Sequence, residues 1–207
     1  MKSNFQAAKQ FIKMKRDHEQ ESLSGPGSSK YQASDVRDFL QDSINKHSIK
    51  KILDLGCGDW NWMEDVDLQG AEYLGIDCDD NMIQQNLTKY GSDKIKFQVG
   101  DIFSRQIPKV DLVICRDVLF HVRQELAMRL IDRLKKIDGL FFLSTSFNQQ
   151  DVNADIQRYC DIEDWGYYQI NLLQKPFNLG DTLIDSRSET KIANRSVCLF
   201  RFTTNYT

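Results

Sequence analysis

The chain has 207 residues, 27 Lys and Arg against 30 Asp and Glu, and a formal net charge of -3. That length buries a substantial core within one domain, and a near-neutral balance without long blocks of like charge gives a nucleic-acid partner no electrostatic support. No apolar run approaches membrane-spanning length, and the first residues lack a signal-type core. The five cysteines (Cys57, Cys78, Cys115, Cys160, Cys198) contain no C-x-x-C pair and, with three scattered histidines, make no metal-ligand spacing. The expectation is a cytoplasmic protein with free thiols, no metal and a small-molecule partner.

Residues 4–20 are patterned as an amphipathic helix, with Phe5, Ala8, Ile12 and Lys15 on one face. SLSGPGSSK, Ser22 to Lys30, must be loop from its glycine, serine and proline. It reads equally well as a linker or as a flap over a pocket. Ser34 suits the N-cap of a helix to about Lys46, with Val36, Phe39, Leu40 and Ile44 facing inward. Residues 1–47 are thus expected to form a helical lid with its flap, packed on a core of residues 48–207.

KILDLGCGD, Lys51 to Asp59, reads as a buried strand, a tight turn through Gly56, Cys57 and Gly58, and a helix start capped by Asp59. Backbone this exposed beside a helix start suits a nucleotide-like cofactor. The indoles of Trp60 and Trp62 then serve either as core or as an aromatic wall.

EYLGID, Glu72 to Asp77, is a second strand ending in a carboxylate, with a helix following. Asp77 lies 19 residues beyond Gly58 (77 − 58), near the spacing of about 20 at which dinucleotide folds place an acid on ribose hydroxyls. Lys94 to Phe103 gives a third strand with Asp101 just beyond its end, Val110 to Cys115 a fourth running into Arg116, and Gly139 to Phe147 a fifth, with a helix over Gln124 to Lys136 between the last two. The alternation predicts a Rossmann-like α/β fold: a mostly parallel sheet, helices on both faces, and a ligand at the carboxyl ends of the strands. Beyond Phe147 the rhythm breaks until RSVCLFRF, Arg195 to Phe202, which fits a closing antiparallel pair at one edge. Asn171, Pro176 and Phe177 either shape an acceptor pocket or belong to a loop covering the sheet.

A nicotinamide or flavin dinucleotide and S-adenosylmethionine compete for such a turn. G-x-G-x-x-G wants a third glycine, and Asn61 stands in its place. Asp54 and Asp59 beside the turn repel a pyrophosphate, whereas the sulfonium and ammonium of S-adenosylmethionine are favoured there.

ILDLGCGDW, YLGIDCDD, FQVGDIF and DLVICRDVLFHV, spread over Ile52 to Val122, resemble the successive motifs of the class I S-adenosylmethionine-dependent methyltransferases. The resemblance implies a seven-stranded sheet whose last strand is antiparallel. It places Asp54, Gly56, Cys57 and Gly58 around the methionine part of the cofactor, and Asp77, with Cys78 beside it, at the ribose. Asp101 and Ile102 fall at the adenine, and Cys115 and Arg116 beneath the transferred methyl. The chain is also similar to small bacterial members carrying SGPGS before the core, which would bring Ser24 to Ser28 into the site. The D/N-P-P-Y/F and Pro-Cys signatures of nucleic-acid methylating branches are replaced by CRDV.

Methyl transfer from a sulfonium is an in-line displacement, and a hydroxyl acceptor must also lose a proton. His121 is the first candidate base, a packing histidine being its alternative, and Asp117 is the second candidate or the orienter of His121. Arg116 suits an acceptor carboxylate or phosphate, or an internal ion pair. The expected function is O-methylation of a small molecule, with N-methylation open. A non-catalytic S-adenosylmethionine-binding regulator and an NAD-dependent oxidoreductase are the alternatives.

Overall fold

The computed structural model describes residues 21–149, 153 and 168–204. The helix expected over 4–20, Cys160 and much of the polar stretch after Phe147 lie outside the described residues. Helix α1 (Ser34–His47) buries Val36, Phe39, Leu40, Ser43 and Ile44 on one face, as the spacing predicts. Ser34 is its first helical residue and not its cap, and no side chain caps this end. Ser48, left-handed at φ 52°, ends the helix.

Seven strands form one sheet: β1 (Lys51–Leu55), β2 (Glu72–Asp77), β3 (Ile95–Val99), β4 (Leu112–Cys115), β5 (Phe141–Phe147), β6 (Leu183–Ser188) and β7 (Arg195–Arg201). Their order is β3-β2-β1-β4-β5-β7-β6. β1 pairs in parallel with β2 and β4, while β7 runs antiparallel to both β5 and β6. The last strand therefore opposes the rest, and the expected closing pair is there.

Alternation along the strands sends side chains to two cores. Ile52, Tyr73, Leu112 and Ile114 meet α1 on one face, joined by Ile83 of helix α2 (Asp80–Tyr90). Leu53, Leu55, Val113 and Phe142 meet helix α3 (Gln124–Leu134) on the other through Ala127, Leu130, Ile131 and Leu134. Helices thus cover both faces. Each fully buried aliphatic side chain contributes about 1.5–3 kcal/mol, so α1 and α3 are held by packing more than by propensity.

The helix start expected after the glycine turn is not formed. β1 and β2 are joined by irregular chain containing one 3-10 turn, Met63–Asp65. Asp59 caps no helix because its carboxylate is committed elsewhere: Oδ2 accepts the Leu23 N–H at 2.7 Å and Oδ1 accepts the hydroxyls of Ser22 and Ser24 at 3.0 and 3.1 Å. Its bond to Asn61 N–H is the longest of the set at 3.4 Å. Trp60 takes φ 59°, which also breaks a helix. No helix among the described residues is long and apolar enough to cross a membrane.

Candidate active site

In a parallel sheet the carboxyl ends of the strands share one edge, so loops following β1, β2, β3 and β4 meet there. β7 runs the other way, and its first residue, Arg195, stands opposite Phe147, the last of β5. Arg195 therefore reaches the same edge from the far end of the sequence. A cavity of about 320 Å³ opens along this edge, within the size range of small-molecule sites.

The β1–β2–β3 half of the cavity is acidic. Asp54, Asp59, Asp77 and Asp101 all line it, with Gly56, Cys57 and Gly58 as its floor. Gly56 has φ 83°, and a Cβ there would stand 2.4 Å from Val118 Cγ2. Gly58 has φ 57°, and its Cβ would stand 2.2 Å from Ser24 Oγ. Neither site accepts a side chain, and the backbone stays bare toward the cavity. Asp77 is buried, its Oδ2 accepting the Gly58 N–H at 3.0 Å and its Oδ1 the Asp79 N–H at 3.1 Å. Burial pushes this carboxyl up, with the two amide bonds opposing.

Asp54 sits deeper, its Oδ2 accepting the Tyr73 hydroxyl at 2.7 Å. Burial pushes its carboxyl up to about 7, with the Tyr73 hydrogen bond opposing and Asp77 adding repulsion. A cation entering this half would favour ionised Asp54, so the donor set fits a sulfonium and an ammonium and disfavours a pyrophosphate. The Cys57 thiol is raised well above its ordinary value by burial and by the same two acids. Burial likewise raises Cys78 and Cys115. None of the three is a nucleophile at neutral pH.

The segment Leu23–Ser28 lines the cavity from above. Ser24 is tied to Asp59 in both directions, accepting its N–H at 2.9 Å while donating from the same hydroxyl. Asn61 Nδ2 reaches Ser28 O at 3.2 Å, and Arg116 Nη2 donates to Gly27 O at 2.8 Å. Lys30 adds salt bridges to Glu64 and Asp65. Of the two indoles, Trp62 lines the cavity with the Arg116 guanidinium 5.4 Å from its ring, whereas Trp60 packs in the core against Tyr73, Tyr90 and Phe97. One is wall and one is core.

The β4–β5–β7 half is built on a charged cluster. Asp117, at φ 55°, directs Oδ1 to the Thr145 hydroxyl at 2.8 Å and to Arg195 Nη1 at 3.2 Å. Its Oδ2 faces Arg116 Nη2 at 3.2 Å. Behind them lies Glu189, its side chain 0% exposed, with Oε2 at 2.6 Å from Arg195 Nη2 and 3.6 Å from Arg116 Nη2. Burial alone would raise the Asp117 carboxyl, but Arg116 and Arg195 outweigh it and hold it below its ordinary range. A carboxylate so held is a poor proton acceptor. His121, in the 3-10 turn Leu119–His121, lines the cavity beside it, and its charge also acts on Asp117.

Of the residues singled out from sequence, Asp54, Gly56, Cys57, Gly58, Asp77, Cys78, Asp101, Ile102, Arg116, Asp117 and His121 all line this one cavity. Cys115 does not: it is fully buried in the core beneath. Asn171 and Phe177 are buried and, with Pro176, lie away from the cavity, as a loop covering the sheet would place them. Sequence reasoning missed Arg195, Glu189 and Ile192, which belong to β7 and the turn before it. RSVCLFRF gave only a strand, and nothing local to it says that its first residue meets the end of β4. The flap reading of Ser24–Ser28 had a signal in its composition, whereas the Ser24–Asp59 pairing, 35 residues apart, had none.

A methyltransferase-domain family model matches residues 46–188. Among curated proteins, the ubiquinone biosynthesis O-methyltransferase of Actinobacillus pleuropneumoniae is 27% identical over 148 residues, covering 67% of this chain and 61% of that protein. That of Acinetobacter baylyi is 28% identical over 137 residues, covering 61% and 53%. The chain thus spans about half to three fifths of the length of these relatives. Among solved structures, the N-methyltransferase NodS of Bradyrhizobium japonicum, in complex with S-adenosyl-L-homocysteine, superposes with a TM-score of 0.67 at 14% identity over 95% of this chain and 98% of that one. Magnesium protoporphyrin IX methyltransferase of Synechocystis, with the same molecule bound, superposes with a TM-score of 0.61 at 18% identity over 84% of each. These structures share the fold. The family match covers well over half the chain, and the chain belongs to the class I S-adenosylmethionine-dependent methyltransferases.

Proposed function

We propose that this protein transfers a methyl group from S-adenosylmethionine to a hydroxyl of a small molecule. The observation that carries the reading is the division of one cavity into an acidic, glycine-floored half and a half bearing a histidine beside an arginine-fixed carboxylate. Asp77 would receive the ribose hydroxyls, Asp101 and Ile102 the adenine, and Asp54 with the bare turn the cationic methionine part. When bound, the cofactor supplies an electrophilic methyl on a positively charged sulfur.

The chain's own residues then have three tasks. The segment Leu23–Ser28 and Trp62 exclude water, which strengthens the electrostatic interactions inside. The wall of Arg116, Asp117 and His121 fixes the acceptor in line with the methyl. His121 takes the hydroxyl proton, and Asp117 orients it without competing for that proton. The O-methyltransferase relatives support a hydroxyl acceptor. The N-methyltransferase neighbour shares only the fold, and an amine acceptor stays as the second reading because the same wall would accommodate it.

The test is transfer of labelled methyl from S-adenosylmethionine to a panel of phenols, aliphatic alcohols and amines. Label on a hydroxyl compound, lost in His121→Ala, is the expected result. Label on amines alone, undiminished in that variant, would reverse the assignment of acceptor atom and base.

A further inference from the structure

We propose that Arg116 and Arg195 form a subsite for an anionic group on the methyl acceptor, a carboxylate or a phosphate, and that buried Glu189 is the positioning residue that fixes both guanidiniums. This rests on the methyltransferase reading and adds the acceptor's chemical class to it.

The first support is placement. The acids assigned to the cofactor lie at or just past the ends of β1, β2 and β3, whereas Arg116 follows β4, the central strand, and Arg195 opens β7, two strands beyond it. The two arginines adjoin Asp117 and hence His121, where the accepting atom would lie.

The second is polarity. Both guanidinium residues line the cavity, while Glu189 does not and is shut behind them. Asp117 also lines it, but its oxygens already receive Thr145, Arg116 and Arg195. Positive groups thus face the cavity and one negative group backs them. Two guanidiniums against two carboxylates sum to zero, so the cluster is balanced when empty and acts on an incoming anion through fixed, directed N–H donors.

The third is an orphaned donor. Arg116 Nη2 is used by Gly27 O, Asp117 and Glu189, yet its Nε is buried with no hydrogen-bond partner. Arg116 is only 5% exposed and Arg195 4%. Two guanidiniums buried for stability alone are an expensive choice, since apolar residues of similar volume generally do as well or better. A planar oxyanion gives the fork geometry a use.

The test uses the whole protein loaded with S-adenosylhomocysteine and titrated with benzoate, inorganic phosphate and benzamide. Saturable binding of benzoate or phosphate is expected, the tighter of the two naming the group, with benzamide at least tenfold weaker than benzoate. Arg195→Gln should weaken the bound anion tenfold or more and leave S-adenosylhomocysteine unchanged. Glu189→Gln keeps an acceptor against Arg195 but removes its charge, so anion affinity should rise several-fold, an effect that a merely structural glutamate would not give.

No anion binding at millimolar concentration, or anion binding indifferent to Arg195→Gln, overturns the proposal. So does a loss of S-adenosylhomocysteine affinity in Arg195→Gln without loss for 5′-methylthioadenosine, which lacks the amino-acid part, because the pair would then serve the cofactor's own carboxylate. Should Arg195→Gln fail to fold, Arg195→Lys decides, since it keeps the charge and loses the fork: a several-fold fall in anion affinity supports the subsite and unchanged affinity overturns it. Failure of the wild type to bind S-adenosylhomocysteine at all would instead strike the methyltransferase reading.

Discussion

Ser24 and Asp59 hold each other twice: the serine hydroxyl accepts the Asp59 N–H at 2.9 Å and donates to its Oδ1 at 3.1 Å. The pair joins the Ser22–Ser28 segment to the glycine turn at the one place where Gly58 leaves room for it. The glycine turn and the Leu23–Ser28 segment, both lining the cavity, are therefore one hydrogen-bonded unit.

Breaking that unit should cost cofactor affinity. A hydrogen bond to a charged group is worth about 1.5–3 kcal/mol, so Ser24→Ala should weaken S-adenosylhomocysteine binding roughly tenfold and Asp59→Ala more. Gly58→Ala, which drives a methyl into Ser24 Oγ, should do the same. Calorimetry gives the affinity, and hydrogen exchange at residues 22–28 should show faster exchange in each variant.

Asp54 makes stability fall as pH rises. Its carboxyl moves from 3.8 to about 7 on folding, so between those values the folded chain binds a proton that the unfolded chain has released. The contribution is present below pH 4, is lost progressively toward pH 7 and is flat above, on the order of 4 kcal/mol in all. Asp54→Asn keeps an oxygen for the Tyr73 hydroxyl and removes the charge. Denaturant titrations should find it more stable than wild type at pH 8, with the difference vanishing toward pH 4.

His121→Ala should lower kcat by a factor of roughly 10²–10⁴, the usual range for a general base, with little change in affinity for S-adenosylhomocysteine. The low-pH limb of the kcat profile should disappear with it. Asp117→Asn should lower kcat less and shift that limb downward, because His121 loses a neighbouring negative charge.

Glu189→Ala leaves two buried guanidiniums with half their counter-charge. Removing one partner of a buried ion pair costs about 3–5 kcal/mol, which for a chain of this size lowers Tm by about 6–20 °C. Thermal unfolding followed by circular dichroism measures it.

The sheet was legible because its strands are short apolar runs ending in glycine, acid or hydroxyl, and those ends, the methyltransferase resemblance and the need for a base together named eleven of the residues that line the cavity. Local rules failed where a distant segment took over a local group. Asp59 has a good cap's chemistry, yet Ser22, Leu23 and Ser24 claim its carboxylate, and no helix follows. Arg195 reads as the start of a plain strand, and only the antiparallel return of β7 brings it to Asp117, 78 residues earlier. Cys115 shows the converse: it ends β4 at the edge where the cavity opens, yet alternation turns its side chain into the core.

The central claim is that the acidic half of the cavity binds S-adenosylmethionine through Asp77. Calorimetric titration of the purified protein with S-adenosylhomocysteine, repeated on Asp77→Ala and with NAD as the ligand, tests it most directly. Saturable binding of S-adenosylhomocysteine that falls a hundredfold or more in the variant, with none of NAD, is the predicted result. Binding of NAD in its place, or S-adenosylhomocysteine binding untouched by the loss of Asp77, would contradict it.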